Sequence, residues 1–154
     1  MLSSEQQIQN LLGMYADFID TGQFEKAAEL FKRARVKMDG AVGDGTFDSI
    51  GVLEAWRESI ALYPDGTPRT KHVITNAIIN VDESEDFATC NSYYTVFQQT
   101  EDFPLQPICA GRYQDEFQRE DGSWFFVFRD YSLLDLIGDL SRHLREETRK
   151  KLRI

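Results

Sequence analysis

Histidine is the side chain whose charge changes near neutral pH, so it brings proton transfer to any cavity that holds it. The 154-residue chain has two, His72 and His143. His72 falls in a stretch of alternating character. His72, Ile74, Asn76, Ile78 and Asn80 share one parity, and Val73, Thr75, Ala77, Ile79 and Val81 the other. The second set is more uniformly apolar and is expected to pack on helices. The first mixes polar and apolar groups, as a ligand cavity does, although a half-buried histidine bonded for structural reasons fits the same pattern. His143 sits beside Arg142 and Arg145 in a basic C-terminal stretch, where a solvated or interface role is expected. Asp20 lies at the flank of an apolar helical stripe, just before Thr21-Gly22, where it can also serve as a cap or charge for the next helix. Tyr15 is on the stripe itself, as a core tyrosine whose hydroxyl needs a partner and can donate to a ligand.

Further along, Tyr93, Tyr94, Tyr113, Trp124, Phe126 and Phe128 recur in strand-like segments. Most should be core, and some must line whatever cavity the strands enclose, favouring an aromatic or hydrocarbon-like ligand. Arg112 and Arg129 need carboxylate partners, with Asp115, Glu116 and Asp130 as candidates. GxSxG, a phosphate-binding loop and GxGxxG after a strand are all missing, and the glycines near residue 40 fit none of them. Cys90 and Cys109 are far apart and form no CxxC or Cys/His cluster. Neither a cofactor nor a metal is therefore expected.

The elements that must position these residues change character near residue 70. Before it, Ile8, Leu11, Leu12, Tyr15, Phe18 and Ile19 recur at helical spacing. Ser3 or Ser4 can cap this helix, with Gln6 or Gln7 three residues on. A short second helix carries Phe24, Ala27, Ala28, Leu30 and Phe31. A third, starting near Asp48 or Ser49, carries Val52, Leu53, Trp56 and Ile60 before the turn Pro64-Asp65-Gly66. Arg35 to Met38 can form a short strand, followed by a Gly-rich turn over 39–45. After residue 70 the period is two, which predicts strands at about 71–82, 86–100, 106–119 and 123–134 joined by hairpin connections, one of them the stretch near Phe103–Pro107. Helices first and a meander afterwards indicate an α+β protein: three N-terminal helices packed on a strongly curved, mostly antiparallel sheet, a cone-like half-barrel whose interior suits a small ligand.

At 42% hydrophobic and 28% charged the chain can build a core. Its net charge of −9 disfavours nucleic acid as a partner. No apolar run is long enough to span a membrane. The N-terminus lacks the regions of a signal peptide, so a cytoplasmic protein is expected. The acidity is uneven: residues 1–140 carry a net −13 and residues 141–154 a net +4. Residues 1–140 are expected to form the cone, and 141–154 a basic helical tail that docks on its own or a neighbouring subunit. Long strands with Tyr, Phe and Val on both sides predict a homo-oligomer, dimer or trimer, that covers the outer sheet face.

Four segments resemble the nuclear transport factor 2-like superfamily, in its SnoaL-like branch. They are Tyr15-Ala16-Asp17-Phe18-Ile19-Asp20 with Phe24 after it, Thr70-Lys71-His72-Val73-Ile74-Thr75-Asn76, Gly111-Arg112-Tyr113-Gln114-Asp115, and Asp121-Gly122-Ser123-Trp124. Their order and spacing span about residues 5–135. The branch includes the scytalone dehydratases and hexachlorocyclohexane dehydrochlorinases, with ketosteroid isomerases and aromatic-ring dioxygenase small subunits more distant. The resemblance implies that Asp20 orients His72 as a general base, and that Tyr15 donates a hydrogen bond to developing negative charge. The second catalytic histidine of the dehydratases is missing, with Ser92 or a neighbour near its place. Gly111 and Tyr113 stand where those enzymes carry Ser and Asn. The expected activity is a lyase or isomerase acting on a small hydrophobic or aromatic molecule, with Tyr94, Tyr113, Trp124, Arg129 and Asn76 in the lining. The alternative is a non-catalytic ligand-binding or assembly subunit.

Overall fold

The structure, a computed structural model, describes residues 1–38 and 44–154. Of the turn expected over 39–45, residues 39–43 lie outside the described residues. Helix α1 runs Ser4–Asp20 and starts on a capping box: the Ser3 hydroxyl accepts from Gln6 N–H while the Gln6 side chain accepts from Ser3 N–H. It buries Ile8, Leu12, Tyr15 and Ile19, residues at three- and four-residue steps. Helix α2 (Phe24–Glu29) follows, then strands β1 (Arg35–Lys37) and β2 (Thr46–Phe47). Helix α3 (Ser49–Ser59) has Asp48 as its cap, accepting from Gly51 N–H at 2.8 Å. Four long strands complete the sheet: β3 (Thr70–Asp82), β4 (Phe87–Thr100), β5 (Phe103–Glu120) and β6 (Ser123–Ile137). A short helix α4 (Glu146–Leu152) ends the chain.

Among the described residues the sheet order is β2-β1-β6-β5-β4-β3, open at both edges. All pairs are antiparallel except β1 with β6. Bulges interrupt the β3–β4, β4–β5 and β5–β6 ladders. Each bulge bends its strand and adds twist, which curves the sheet into a cone around α1, α2 and α3. Phe31, Val52, Trp56, Val96, Phe117 and Phe126 fill the contact between helices and sheet.

The expected connection near Phe103–Pro107 is instead the start of β5, because Thr100 pairs with Phe103 across a two-residue turn. The tail departs further from expectation. Its helix begins at Glu146 rather than Ser141, because Leu144 forms a β-bridge with Ile60 at the end of α3.

The parity of β3 is also not uniform. Two residues, Asn76 and Ala77, stand against one between the pairs Thr75–Tyr93 and Ile78–Asn91, and Asn76 takes φ 54°. Thr70, His72 and Ile74 face inward before this bulge, and Ile79 and Val81 after it. The expected apolar face is thus split. Val73 points outward, and helices and cavity share the concave side with His72.

Gly22, which follows α1 and its cap Thr21, has φ +74°, and a Cβ there would stand 2.0 Å from the carbonyl oxygen of Gly66. Two turns meet at this point, one leaving α1 and one leading into β3. Gly22→Ala is expected to cost on the order of 2 kcal/mol through this clash and the strained φ. Gly13 lies within α1 with open space at its Cβ position, so Gly13→Ala should stabilise the chain by roughly 0.5–1 kcal/mol. Urea unfolding of the two variants should move in opposite directions from the parent.

Candidate active site

Asp20 is the last residue of α1, where the helix end carries partial negative charge. A carboxylate buried there needs donors, and the first residues of β3 supply them. Thr70 Oγ1 donates to Oδ1 at 2.8 Å, His72 N–H donates to Oδ2 at 2.7 Å, and the His72 ring Nδ1 lies 2.6 Å from Oδ1. Both side chains are almost fully buried. The contact makes Nδ1 the protonated nitrogen of the neutral ring and leaves Nε2 with its lone pair. Such a ring can take a proton at Nε2, and the carboxylate stabilises the imidazolium that results.

His72 lines a cavity of about 1110 Å³, together with Tyr15, Trp56, Tyr94, Tyr113, Tyr131 and His143 among others. Its phenols form a connected set. Tyr94 stacks on Tyr113 at 4.4 Å between ring centroids, and Tyr113 meets Tyr15 and Tyr131 edge-on. Gly111 makes room for this stack, since a Cβ there would sit 2.6 Å from the Tyr94 hydroxyl. Trp56 Nε1–H donates to the Tyr131 hydroxyl at 2.7 Å. Burial pushes the Tyr15 phenol up to about 12, with Arg129 pulling the other way. It raises Tyr94, Tyr113 and Tyr131 as well. These phenols stay protonated at neutral pH and can act as hydrogen-bond donors.

The structure separates the five residues expected in the lining. Tyr94 and Tyr113 line the cavity, whereas three other expected residues lie elsewhere. Arg129 sits behind the wall, fully buried. It makes a bidentate pair with Asp115 at 2.7 and 2.8 Å, and its guanidinium lies 4.0 Å from the Tyr113 ring centroid and 4.4 Å from that of Tyr15. Its work is to hold two cavity tyrosines from behind. Trp124 packs under the Arg119 guanidinium at the far end of the sheet, because β6 begins there beside Gln7 of α1. Asn76 is exposed at the β3 bulge and borders a smaller recess between α1 and β3. Arg112 pairs with Asp135 on the outer face.

Sequence reasoning missed Tyr131 and His143. The solvated role expected for His143 is corrected: the ring lines the cavity, and its Nδ1 is sealed in protein without a hydrogen-bond partner. The main chain is pinned there, with Ala61 N–H donating to the His143 carbonyl at 2.9 Å and Arg145 N–H to that of Ser59 at 2.9 Å. Burial pushes the imidazole down to about 4, reinforced by His72 and opposed by Asp20. The apolar residues three before and one after it, Leu140 and Leu144, were the available signal, but the basic neighbours outweighed them. Among the described residues, no three His, Cys, Asp or Glu side chains come together as a metal ion would need.

A family model for the SnoaL-like domain matches residues 1–130. No curated protein matches the chain. Solved structures share the fold at low identity. A proposed scytalone dehydratase from Novosphingobium aromaticivorans is 22% identical, with a TM-score of 0.60 over 82% of this chain and 80% of that one. The beta subunit of a proposed aromatic-ring-hydroxylating dioxygenase from the same organism is 20% identical, with a TM-score of 0.64 over 86% and 89%. LinA is 20% identical, with a TM-score of 0.60 over 82% and 83%. At these identities the likeness speaks for the fold alone.

A histidine held neutral by burial binds its proton more readily in the unfolded chain. The stability this contributes is complete above about pH 6.5 and is lost as pH falls towards 4. His143→Gln removes that dependence. Between pH 6.5 and 4 the parent should lose stability relative to the variant by roughly 1.4 kcal/mol per pH unit. Urea unfolding at a series of pH values checks this, and an imidazole NMR signal titrating near pH 6.5 in the parent for His143 would contradict it.

Proposed function

The chain belongs to the SnoaL-like domain family of the nuclear transport factor 2-like superfamily, and on that premise we propose that it is a cofactor-independent lyase or isomerase that removes a proton from a small hydrophobic substrate. His72 is the general base, Asp20 its orienting acid and Tyr15 a hydrogen-bond donor to the charge that develops. The observation that carries this reading is the 2.6 Å contact between the Asp20 carboxylate and the His72 ring in the wall of an aromatic cavity. Cys90 and Cys109 remain free thiols, which fits work in a reducing cytoplasm.

A carbon acid in this cavity would meet Nε2 as a lone-pair base. Proton transfer places positive charge on a ring whose other nitrogen already faces Asp20 Oδ1, so little reorganisation is needed. The phenols around it offer apolar ring faces for an aromatic or cyclic substrate. A positioned base of this kind contributes roughly 100- to 10,000-fold to rate. Once a substrate is found by thermal-shift screening of phenols, steroids and chlorinated hydrocarbons, His72→Gln should lower turnover by that order while leaving binding within a few-fold. Asp20→Asn should also depress turnover strongly, since it frees the wrong tautomer. Unchanged turnover in His72→Gln would remove the base assignment.

The second reading is a ligand-binding or assembly subunit without catalysis. It is favoured by the likeness to a dioxygenase beta subunit and by the outer sheet face, where Val73, Ile78, Tyr93 and Leu136 are exposed. In either reading that face is covered by further copies of the chain. Light scattering is expected to give a mass of two or three times 17.8 kDa. Leu136→Arg together with Tyr93→Arg should return it to one chain.

A further inference from the structure

His143 reaches the cavity from the segment between β6 and α4, on an element the sequence reading had left outside the cone. Its placement is built rather than incidental. Its own N–H donates to the Leu140 carbonyl at 3.0 Å, and its carbonyl accepts from Ala61. The carbonyl of the preceding residue, Arg142, accepts from the Tyr63 hydroxyl at 2.6 Å and from Gln98 Nε2 at 3.0 Å. Leu140 is buried, and Leu144 packs against the core. The ring is therefore held by main chain on both sides, while its Nδ1 meets no hydrogen-bond partner in the protein.

We propose that His143 is a substrate-contacting residue that donates a hydrogen bond from Nε2 to an accepting oxygen of the ligand, so that the cavity selects uncharged ring compounds carrying such an oxygen. The proposal rests on the reading of the cavity as a ligand site and adds a second polar contact beside His72.

A neutral imidazole has one N–H and one lone pair. Nδ1 is sealed without an acceptor, and an unpaired buried lone pair is better tolerated than an unpaired N–H. The proton therefore belongs on Nε2, the nitrogen left to meet a ligand. Two conditions keep the ring neutral in use. Burial resists its protonation, and a positive His72 in the same cavity resists it further. A neutral imidazole does not protonate a leaving group, because that would leave an anion on the ring. Its contribution is a hydrogen bond that strengthens if negative charge grows on the ligand oxygen. The same donor also discriminates against a matched hydrocarbon, which leaves the N–H unpaired.

The test compares acetophenone with ethylbenzene, which share a ring and a two-carbon arm and differ in the accepting oxygen. Binding is measured by NMR titration on His72→Gln protein, so that no base chemistry enters. Acetophenone is expected to bind about tenfold tighter than ethylbenzene. In the double variant with His143→Phe the ratio should fall to near one, and with His143→Gln, whose amide still donates, it should be retained in part. In the parent protein, saturating acetophenone should shift the ring nitrogens of His143. An unchanged ratio in the His143→Phe variant, no preference before that substitution, or His143 signals indifferent to acetophenone would each overturn the proposal. Circular dichroism and Tm of each variant confirm folding, and the parent's own ring signals serve if a variant does not fold. Exchange of the acetophenone methyl protons for deuterium, compared between parent and His72→Gln, reads the base assignment separately. Lost oxygen selectivity with intact exchange thus points at His143, and the reverse at His72.

Discussion

The carboxylate of Asp20 joins the two halves of the molecule. It ends the first helix, where the backbone already presents oxygen atoms, and a negative charge there would be costly without donors. Thr70 and His72 bring three, two of them from one residue of β3. That arrangement sets the angle between α1 and the edge strand of the sheet. It requires the close meeting of the Gly22 and Gly66 turns, and it fixes which nitrogen of His72 is available for chemistry. Local structure, packing and reactivity are thus tied to one set of short contacts.

A second buried charge pair supports the opposite wall. Arg129 and Asp115 have no access to solvent, and burying such a pair is worthwhile only when its hydrogen bonds are well made. Here they are bidentate, and the guanidinium faces Tyr15 and Tyr113 as well. The two tyrosines are held from behind while their rings border the cavity. The charge that sequence reasoning placed in the lining acts one layer deeper, as a rigid backing for it.

The cavity is closed partly by the end of the chain. Residues 140–145 are stitched to the end of α3 by the Ile60–Leu144 bridge and to β4 through Gln98. They carry the second histidine into the same space as the first. The basic residues around it hold other positions: Arg142 reaches Asp102 in the β4–β5 turn, and Arg145 Nε reaches the Ile60 carbonyl. An acidic body and a basic end thus meet within one chain.

Some of this follows from the sequence by itself. Helical spacing in residues 8–19 and period-two alternation after residue 70 determine the α+β order, because each pattern suits only one way of burying its apolar side chains. Residue patterns could name Asp20 and His72 only as separate residues, each with an ordinary structural use, and it was the family resemblance that implied their pairing. Their contact depends on where α1 ends relative to β3, and no local spacing carries that distance. The faces of β3 were misread on both sides of residue 76. Val73 points outward instead of packing on helices, and Ile78 and Asn80 are exposed instead of facing the cavity, because one bulge shifts the parity between the two halves of the strand and leaves no mark in composition. Tyr131 and His143 escaped for a related reason: their place is set by pairings with Trp56 and by the Ile60–Leu144 bridge, both between residues more than seventy positions apart. Sequence determined which elements exist and which side chains were able to do chemistry. Tertiary structure decided which of them share a cavity, because long-range pairing, unlike periodicity, is a property of the folded chain alone.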